Sequence, residues 1–326
     1  MKKENFQAII PPVDPCIIGE ELRIDDRKSP FFVRYTRAKE RRIYKFTAND
    51  CPRTMEEIAR LREITFRDAG GGTGKDKDID EYDIGKTSDG DTTLFTQLIL
   101  LDPVYKKILA AYRYALGSDI IKHKMKGPTL DLFDCSDSFV NNHLPYGIEL
   151  GRSFVIPELQ KAREGIFVFD GMMDGLGSLV VDFPHIKYFF GKFTMYTDYN
   201  TKARDLILYY LKKHFGDKQG LLIPKPELAI HTDETGFAEL FPGQPIVGRA
   251  EERKILTKKV RELGEDIPPL VNYYESLSPT MLFFETAINN HFGEVEESGI
   301  EVTIDDIYEE KKARHVMTYD PHAQLE

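Results

Sequence analysis

The sequence predicts an α+β fold, a mostly antiparallel, twisted mixed sheet with helices on both faces, and three observations lead there. Short runs such as Arg42-Ile-Tyr-Lys-Phe-Thr alternate apolar with polar residues, the period-2 pattern of a half-buried strand. Two stretches, residues 55–68 and a segment from Asn200 or Thr201 to His214, carry the 3.6-residue period of an amphipathic helix. The order along the chain is strand, helix, a strand group, helix, strand, helix, strand. That is not the regular βαβ alternation of a doubly wound parallel sheet.

Residues 1–39 are dotted with proline and read as an irregular N-terminal arm, and residues 40–326 as a single elaborated domain. Thr54 is expected to cap the helix over 55–68, with Glu57 in the capping-box position. Residues 70–91 are rich in Gly and Asp and too long for an ordinary connection, so they are a candidate lid. Residues 97–101 and 108–114 read as a strand pair joined at Asp102-Pro103. After a long excursion come a strand containing Glu149, a helix over 167–181 and a strand over 188–196. Beyond the helix ending at His214 the pattern predicts a helix over 249–263, a segment after Pro268-Pro269, a strand over 281–287 and an acidic tail.

Bulk properties narrow the function. The 326 residues are 41% hydrophobic, enough for a true core. The net charge is −10 with Lys and Arg interspersed, which argues against nucleic acid and leaves an acidic macromolecule only a local basic patch. Cys16, Cys51 and Cys135 form an odd set without a CxxC pair, as expected of a reducing cytoplasm. The first twelve residues hold no apolar run of signal-peptide length, and no window nears the ~20 apolar residues of a membrane span. The expectation is a cytoplasmic protein, at most peripheral to a membrane.

Several motifs fail on inspection. Gly70-Gly-Gly-Thr-Gly-Lys75 has Ala69 in place of the first phosphate-loop glycine and Asp76 in place of the Ser/Thr that would hold magnesium. Asp76, Asp78 and Asp80 suggest a calcium loop, but Glu81 and Thr87 occupy its glycine and glutamate positions. The eight histidines show no zinc spacing, no metal is expected, and there is no GxSxG elbow.

The run Tyr146-Gly-Ile-Glu149-Leu-Gly-Arg152-Ser-Phe-Val-Ile-Pro157 is more informative. Glu149 and Arg152 lie an odd number of residues apart, so on a regular strand they face opposite ways. A bulge at Gly151 would let both reach one cavity; the same pattern also fits an edge strand with two solvated charges. Arg62, Asp80, Asp83 and Arg113 likewise sit in apolar settings, where an unpaired buried charge is costly.

The order Arg62-x-x-x-Phe66, Asp80-x-x-Asp83, Arg113 and Glu149-Leu-Gly-Arg152 resembles the acyl-homoserine-lactone synthases. It is more similar to their relatives, the N-acyl amino acid synthases and the ornithine-lipid or glycine-lipid N-acyltransferases, sometimes labelled hemolysin-like. All share the GNAT (Gcn5-related N-acyltransferase) fold. The likeness runs from about Arg42 onward, and the runs Lys192-Phe-Thr-Met-Tyr and Asp266-Ile-Pro-Pro-Leu-Val-Asn-Tyr-Tyr resemble the lipid-forming branch.

The resemblance implies a splayed strand pair, with the Glu149 strand parting from 188–196 to admit a pantetheine arm. Glu149 would be the base, held by Arg152 or Arg113. Asp80 and Asp83 would order the lid through Arg62 and Arg113 or bind the acceptor's ammonium, while Arg113 or Arg152 would take its carboxylate. An acyl channel lined by Phe66, Phe154, Phe167 and Phe169 is expected. Donor contacts fall on Phe154, Val155, Gln160, Lys161, Arg163, Gly165 and Asn200, and Tyr210 would protonate the departing thiolate. Where coenzyme A users place a glycine, this chain has Arg163, which favours acyl carrier protein over coenzyme A. The implied reaction moves a long, 3-hydroxylated or plain acyl chain from acyl carrier protein to the α-amine of glycine, or second of ornithine. It needs no permanently bound cofactor, only the acyl-phosphopantetheine donor, with transient membrane contact for product release. Lactone synthesis from S-adenosylmethionine is an alternative, weakened by the absence of Trp from any aromatic cage. A GNAT domain that senses acyl carrier protein without turnover is another.

Overall fold

The structure, a computed structural model, describes residues 6–37, 40–160, 163–245 and 248–322. Eight strands make one sheet: β1 Phe32–Tyr35, β2 Arg42–Phe46, β3 Thr96–Asp102, β4 Lys107–Leu116, β5 Gly147–Val155, β6 Tyr188–Met195, β7 Leu282–Asn289 and β8 Val295–Thr303. Their spatial order is β1-β2-β3-β4-β5-β6-β8-β7. All neighbours are antiparallel except β5 and β6, which are parallel. The main helices are α1 Pro52–Asp68, α2 Glu81–Ile84, α3 Arg163–Asp182, α4 Thr201–Phe215, α5 Arg249–Glu262 and α6 Pro269–Leu277.

Adjacent residues of β3 place helices on opposite faces of the sheet. Gln97 accepts a hydrogen bond from Arg62 of α1, whereas Leu98 and Leu100 meet Gly175 and Gly171 of α3. Since strand side chains alternate sides, α1 and α3 sandwich the sheet. The parallel pair is where this sheet opens. β5 and β6 are in register from Gly147↔Tyr188 to Leu150↔Gly191, and pairing stops there. At Gly191 an added Cβ would lie 2.4 Å from the Leu150 carbonyl oxygen, so only glycine allows the strands this approach at the fork.

Several expectations need correction. The segment read as an irregular arm contributes a helix, Pro15–Glu21, and the edge strand β1. Thr54 does not cap α1: the helix starts at Pro52 after Cys51, with no side-chain cap. The Thr54 hydroxyl instead donates to Glu21, and Glu57 accepts from the Val13 amide, so both tie the N-terminal segment down. The acidic stretch after residue 294 is not a tail but β8, an interior strand. Its Glu301 meets His143 at 2.9 Å and its Glu297 accepts from Asn289, so its carboxylates are buried with partners rather than solvated.

Candidate active site

A cavity of about 1580 Å³ opens where β5 and β6 part. Gly151 to Val155 of β5 and Lys192, Thr194 and Met195 of β6 border it. The backbone edges facing it have lost their strand partner, so they can bond the amides of an extended ligand arm.

The bulge exists, one residue later than expected. Arg113↔Gly151 and Ala111↔Phe154 leave Arg152 and Ser153 opposite Tyr112 alone. The left-handed backbone is at Arg152, φ 49°, not at Gly151. It puts Glu149 and Arg152 on one cavity but not in contact. Arg152 Nε lies 3.0 Å from Asp78, and its guanidinium sits over the Phe292 ring at 4.1 Å.

Arg113 is equally committed elsewhere. It holds Asp80 with both terminal nitrogens, at 2.6 and 2.7 Å, and Asp83 at 3.0 Å. Arg62 reaches Asp83 at 2.9 Å and Gln97 at 2.6 Å, wholly buried behind the cavity wall. Three arginines thus meet three aspartates, and the sequence reading had overlooked Asp78 as the third. Asp80 also caps α2, closing a capping box with Asp83. Burial alone would raise the Asp80 carboxyl; Arg113, Arg152 and Arg62 outweigh it and hold it well below the usual range. The 70–91 segment is therefore laced down rather than loose. Glu63 of α1 also accepts from the amides of Thr73 and Gly74.

Glu149 is buried and held by neither arginine. One oxygen accepts the Thr129 amide at 2.7 Å; among the described residues the other, Oε2, has no hydrogen-bond partner. Burial pushes its carboxyl above the ordinary value, while the Lys192 ammonium and Thr129 pull it back. Asp131 stands nearby, also raised by burial, and accepts the Tyr82 hydroxyl at 2.8 Å. Thr129, Asp131 and Lys192 are thus the residues around Glu149 that sequence reasoning missed. Thr129 and Asp131 lie in the long excursion, which carries no periodic signal, and Lys192 entered only as the start of a run resembling the lipid-forming branch, with no role assigned to it.

Of the residues expected to contact donor, Phe154, Val155, Gln160 and Gly165 border the cavity. The Gln160 amide donates to the Val155 carbonyl at 2.8 Å, closing the turn at the strand's end. Lys161 and the Arg163 side chain lie outside the described residues. Asn200 is the N-cap of α4, bonding the Lys202 and Ala203 amides, and Tyr210 is buried with its hydroxyl donating to Glu275 at 2.9 Å. Neither borders the cavity. Of the phenylalanines, Phe66, Phe154 and Phe169 line it, whereas Phe167 points outward, 57% exposed. Phe169 packs edge-on against Tyr273 of α6, and Phe66 against Phe292, giving the cavity two aromatic walls. Among the described residues no cluster of His, Cys, Asp or Glu is arranged for a metal ion, and no helix is long and apolar enough to cross a membrane.

Residues 61–166 match the Acetyltransferase (GNAT) domain family. The chain is 45% identical over 320 residues to a glycine N(alpha)-acyltransferase of Phocaeicola vulgatus, covering 96% of this chain and 94% of that protein. It is likewise 45% identical over 320 residues to one of Bacteroides thetaiotaomicron, covering 96% and 91%. A solved CoA-dependent acyl-homoserine lactone synthase aligns at 18% identity over 51% of this chain and 76% of its own, with a TM-score of 0.30, too slight a likeness to carry an inference. On its identity to these relatives, matched across nearly their whole length, the chain belongs to the GNAT-fold N-acyltransferases related to glycine N(alpha)-acyltransferase and is an enzyme of that kind, drawing its acyl group from a thioester donor.

Proposed function

We propose that the protein moves a long acyl chain from the phosphopantetheine of acyl carrier protein to the α-amine of glycine, with ornithine the second choice, as the first step of amino-acid-lipid synthesis. The observation that carries this reading is the Glu149 carboxylate: buried, one oxygen anchored by the Thr129 amide and the other without a hydrogen-bond partner among the described residues, at the fork between β5 and β6. An acyl-pantetheine arm laid along the open edge of β5 brings its thioester carbonyl beside that oxygen. Glu149 takes a proton from the acceptor's ammonium, directly or through one water. The freed amine attacks the carbonyl, and a β5 backbone amide steadies the oxyanion. The new N–C bond replaces the C–S bond, and the second proton, which the nitrogen sheds on becoming an amide, neutralises the departing thiolate. Burial raises the affinity of Glu149 for protons, the direction a general base needs.

The aromatic walls and the large cavity volume support a long acyl chain. The replacement of a pyrophosphate-loop glycine by Arg163 supports acyl carrier protein over coenzyme A as donor. The names of the relatives support glycine. Ile166, 70% exposed at the cavity rim, and Phe167 beside it support brief contact with a membrane for product release. The test is incubation of purified protein with acyl carrier protein thioesters or acyl-coenzyme A and each amino acid, with mass spectrometry of the products. N-acylglycine from the carrier-protein donor is expected, and absence of N-acyl product with every acceptor would refute the reading.

A further inference from the structure

We infer that Lys192 binds the carboxylate of the acceptor amino acid, opposite Glu149, so that the enzyme takes α-amino acids and discriminates against simple amines. This rests on the proposed N-acylation of an amino acid and names the residue that recognises it. The two arginines first expected in that role are already engaged, Arg113 by Asp80 and Asp83 and Arg152 by Asp78 and Asp80. Three guanidiniums against three carboxylates leave no spare positive charge in that cluster.

Lys192 is different. It is the first residue of β6 beyond the last paired position, its side chain is only 10% exposed, and it borders the cavity. Among the described residues its ammonium has a long 3.4 Å bond to Thr129 Oγ1 and a 3.8 Å approach to Glu297. Glu297 already accepts from Asn289 with that same oxygen, at 3.0 Å. An ammonium offers three donors, and one held this far from water by such long contacts is under-satisfied.

Thr129 joins this cation to the base. Its amide binds one Glu149 oxygen at 2.7 Å while its hydroxyl faces Lys192, so a cation and an anion flank a single residue. The second Glu149 oxygen, buried and unpartnered, is the independent sign that a ligand donor belongs there. A free amino acid carries ammonium and carboxylate on one carbon, the mirror of that pair. Its ammonium satisfies Glu149 and its carboxylate satisfies Lys192 in one pose. Of the remaining nearby charges, the Asp131 carboxylate feels Lys192 more than Lys225 but makes no ion pair with it among the described residues, and Lys225 donates to the Asp131 backbone carbonyl.

The experiment compares glycine with glycinamide, which keeps the amine and loses the carboxylate charge, in wild type and Lys192→Met with one acyl thioester donor. The KM for glycine should rise roughly 10- to 100-fold in Lys192→Met, as expected for loss of a charge-assisted bond, and glycinamide should suffer far less. Lys192→Arg should restore part of the glycine preference. Equal losses for both acceptors would place Lys192 at the donor or in the fold and overturn the inference, as would an unchanged glycine KM. If wild type acylates another amino acid instead of glycine, the proposed acceptor falls, and the same comparison with that amino acid and its amide still decides Lys192. If nothing is turned over, calorimetry of glycine on both proteins decides: binding lost in Lys192→Met supports the inference, and binding absent or equal in both refutes it.

Discussion

Arg113 on β4 grips Asp80 with both ends of its guanidinium, Nη1 2.6 Å from one carboxylate oxygen and Nη2 2.7 Å from the other. Asp80 is also the N-cap of α2, so this pair pins the 70–91 segment to the middle of the sheet and fixes one wall of the cavity. Removing the Asp80 charge leaves the buried Arg113 guanidinium with Asp83 alone. Asp80→Asn should cost about 3 kcal/mol in urea denaturation at neutral pH. A slighter effect, below about 1 kcal/mol, would mean the segment is held without it.

The same pair sets an acid limit. Asp80 in the folded chain lies below its ordinary value of 3.8, so its stabilisation is present above that pH and is lost as pH falls toward the depressed folded value. Glu149 has the opposite sign: raised by burial, its contribution is full below its ordinary 4.5 and fades as pH rises through the folded value. Stability curves of Asp80→Asn and Glu149→Gln, each compared with wild type across pH 3–8, should therefore diverge in opposite directions.

Activity follows the second titration. kcat/KM should rise with pH as Glu149 loses its proton, with a midpoint above the 4.5 of an ordinary glutamate. A profile flat through the acid range would show that no carboxyl governs the proton transfer.

Gly191 tests the fork. With Leu150 O only 2.4 Å from where a Cβ would stand, Gly191→Ala must push β5 and β6 apart before they divide. A loss of about 1–3 kcal/mol in stability is expected, with weaker donor binding. An unperturbed protein would mean that the strands yield freely there.

Tyr210 separates two views of the thiolate. Its hydroxyl is spent on Glu275 and it does not border the cavity. Tyr210→Phe should lower stability by about 1–2 kcal/mol and leave kcat within about twofold. A drop of a hundredfold in kcat would restore it as the acid.

Much of this was legible beforehand, for physical reasons. Helices α1, α3 and α4 announce themselves by periodicity, and strands β2 to β6 as short alternating or apolar runs, β3 and β4 being buried on both faces. Arg62, Asp80, Asp83, Arg113, Glu149 and Arg152 stood out because charge inside an apolar run needs a partner. Which partner was not legible: the arginines pair with the aspartates and leave Glu149 to Thr129, a contact 20 residues apart in an irregular stretch. β8 escaped because Glu296, Glu297 and Glu301 look solvated until Arg204, Asn289 and His143 are brought to them by other elements. Motif position placed Tyr210 on its helix but not relative to the cavity, which it does not border.

The most direct test is Glu149→Gln, which keeps the shape and the acceptor for the Thr129 amide while removing the base. Single-turnover transfer from acyl carrier protein thioester to glycine should slow by about 10²–10⁴-fold, with donor affinity unchanged. Transfer at the wild-type rate, with donor and acceptor bound as before, would contradict the account.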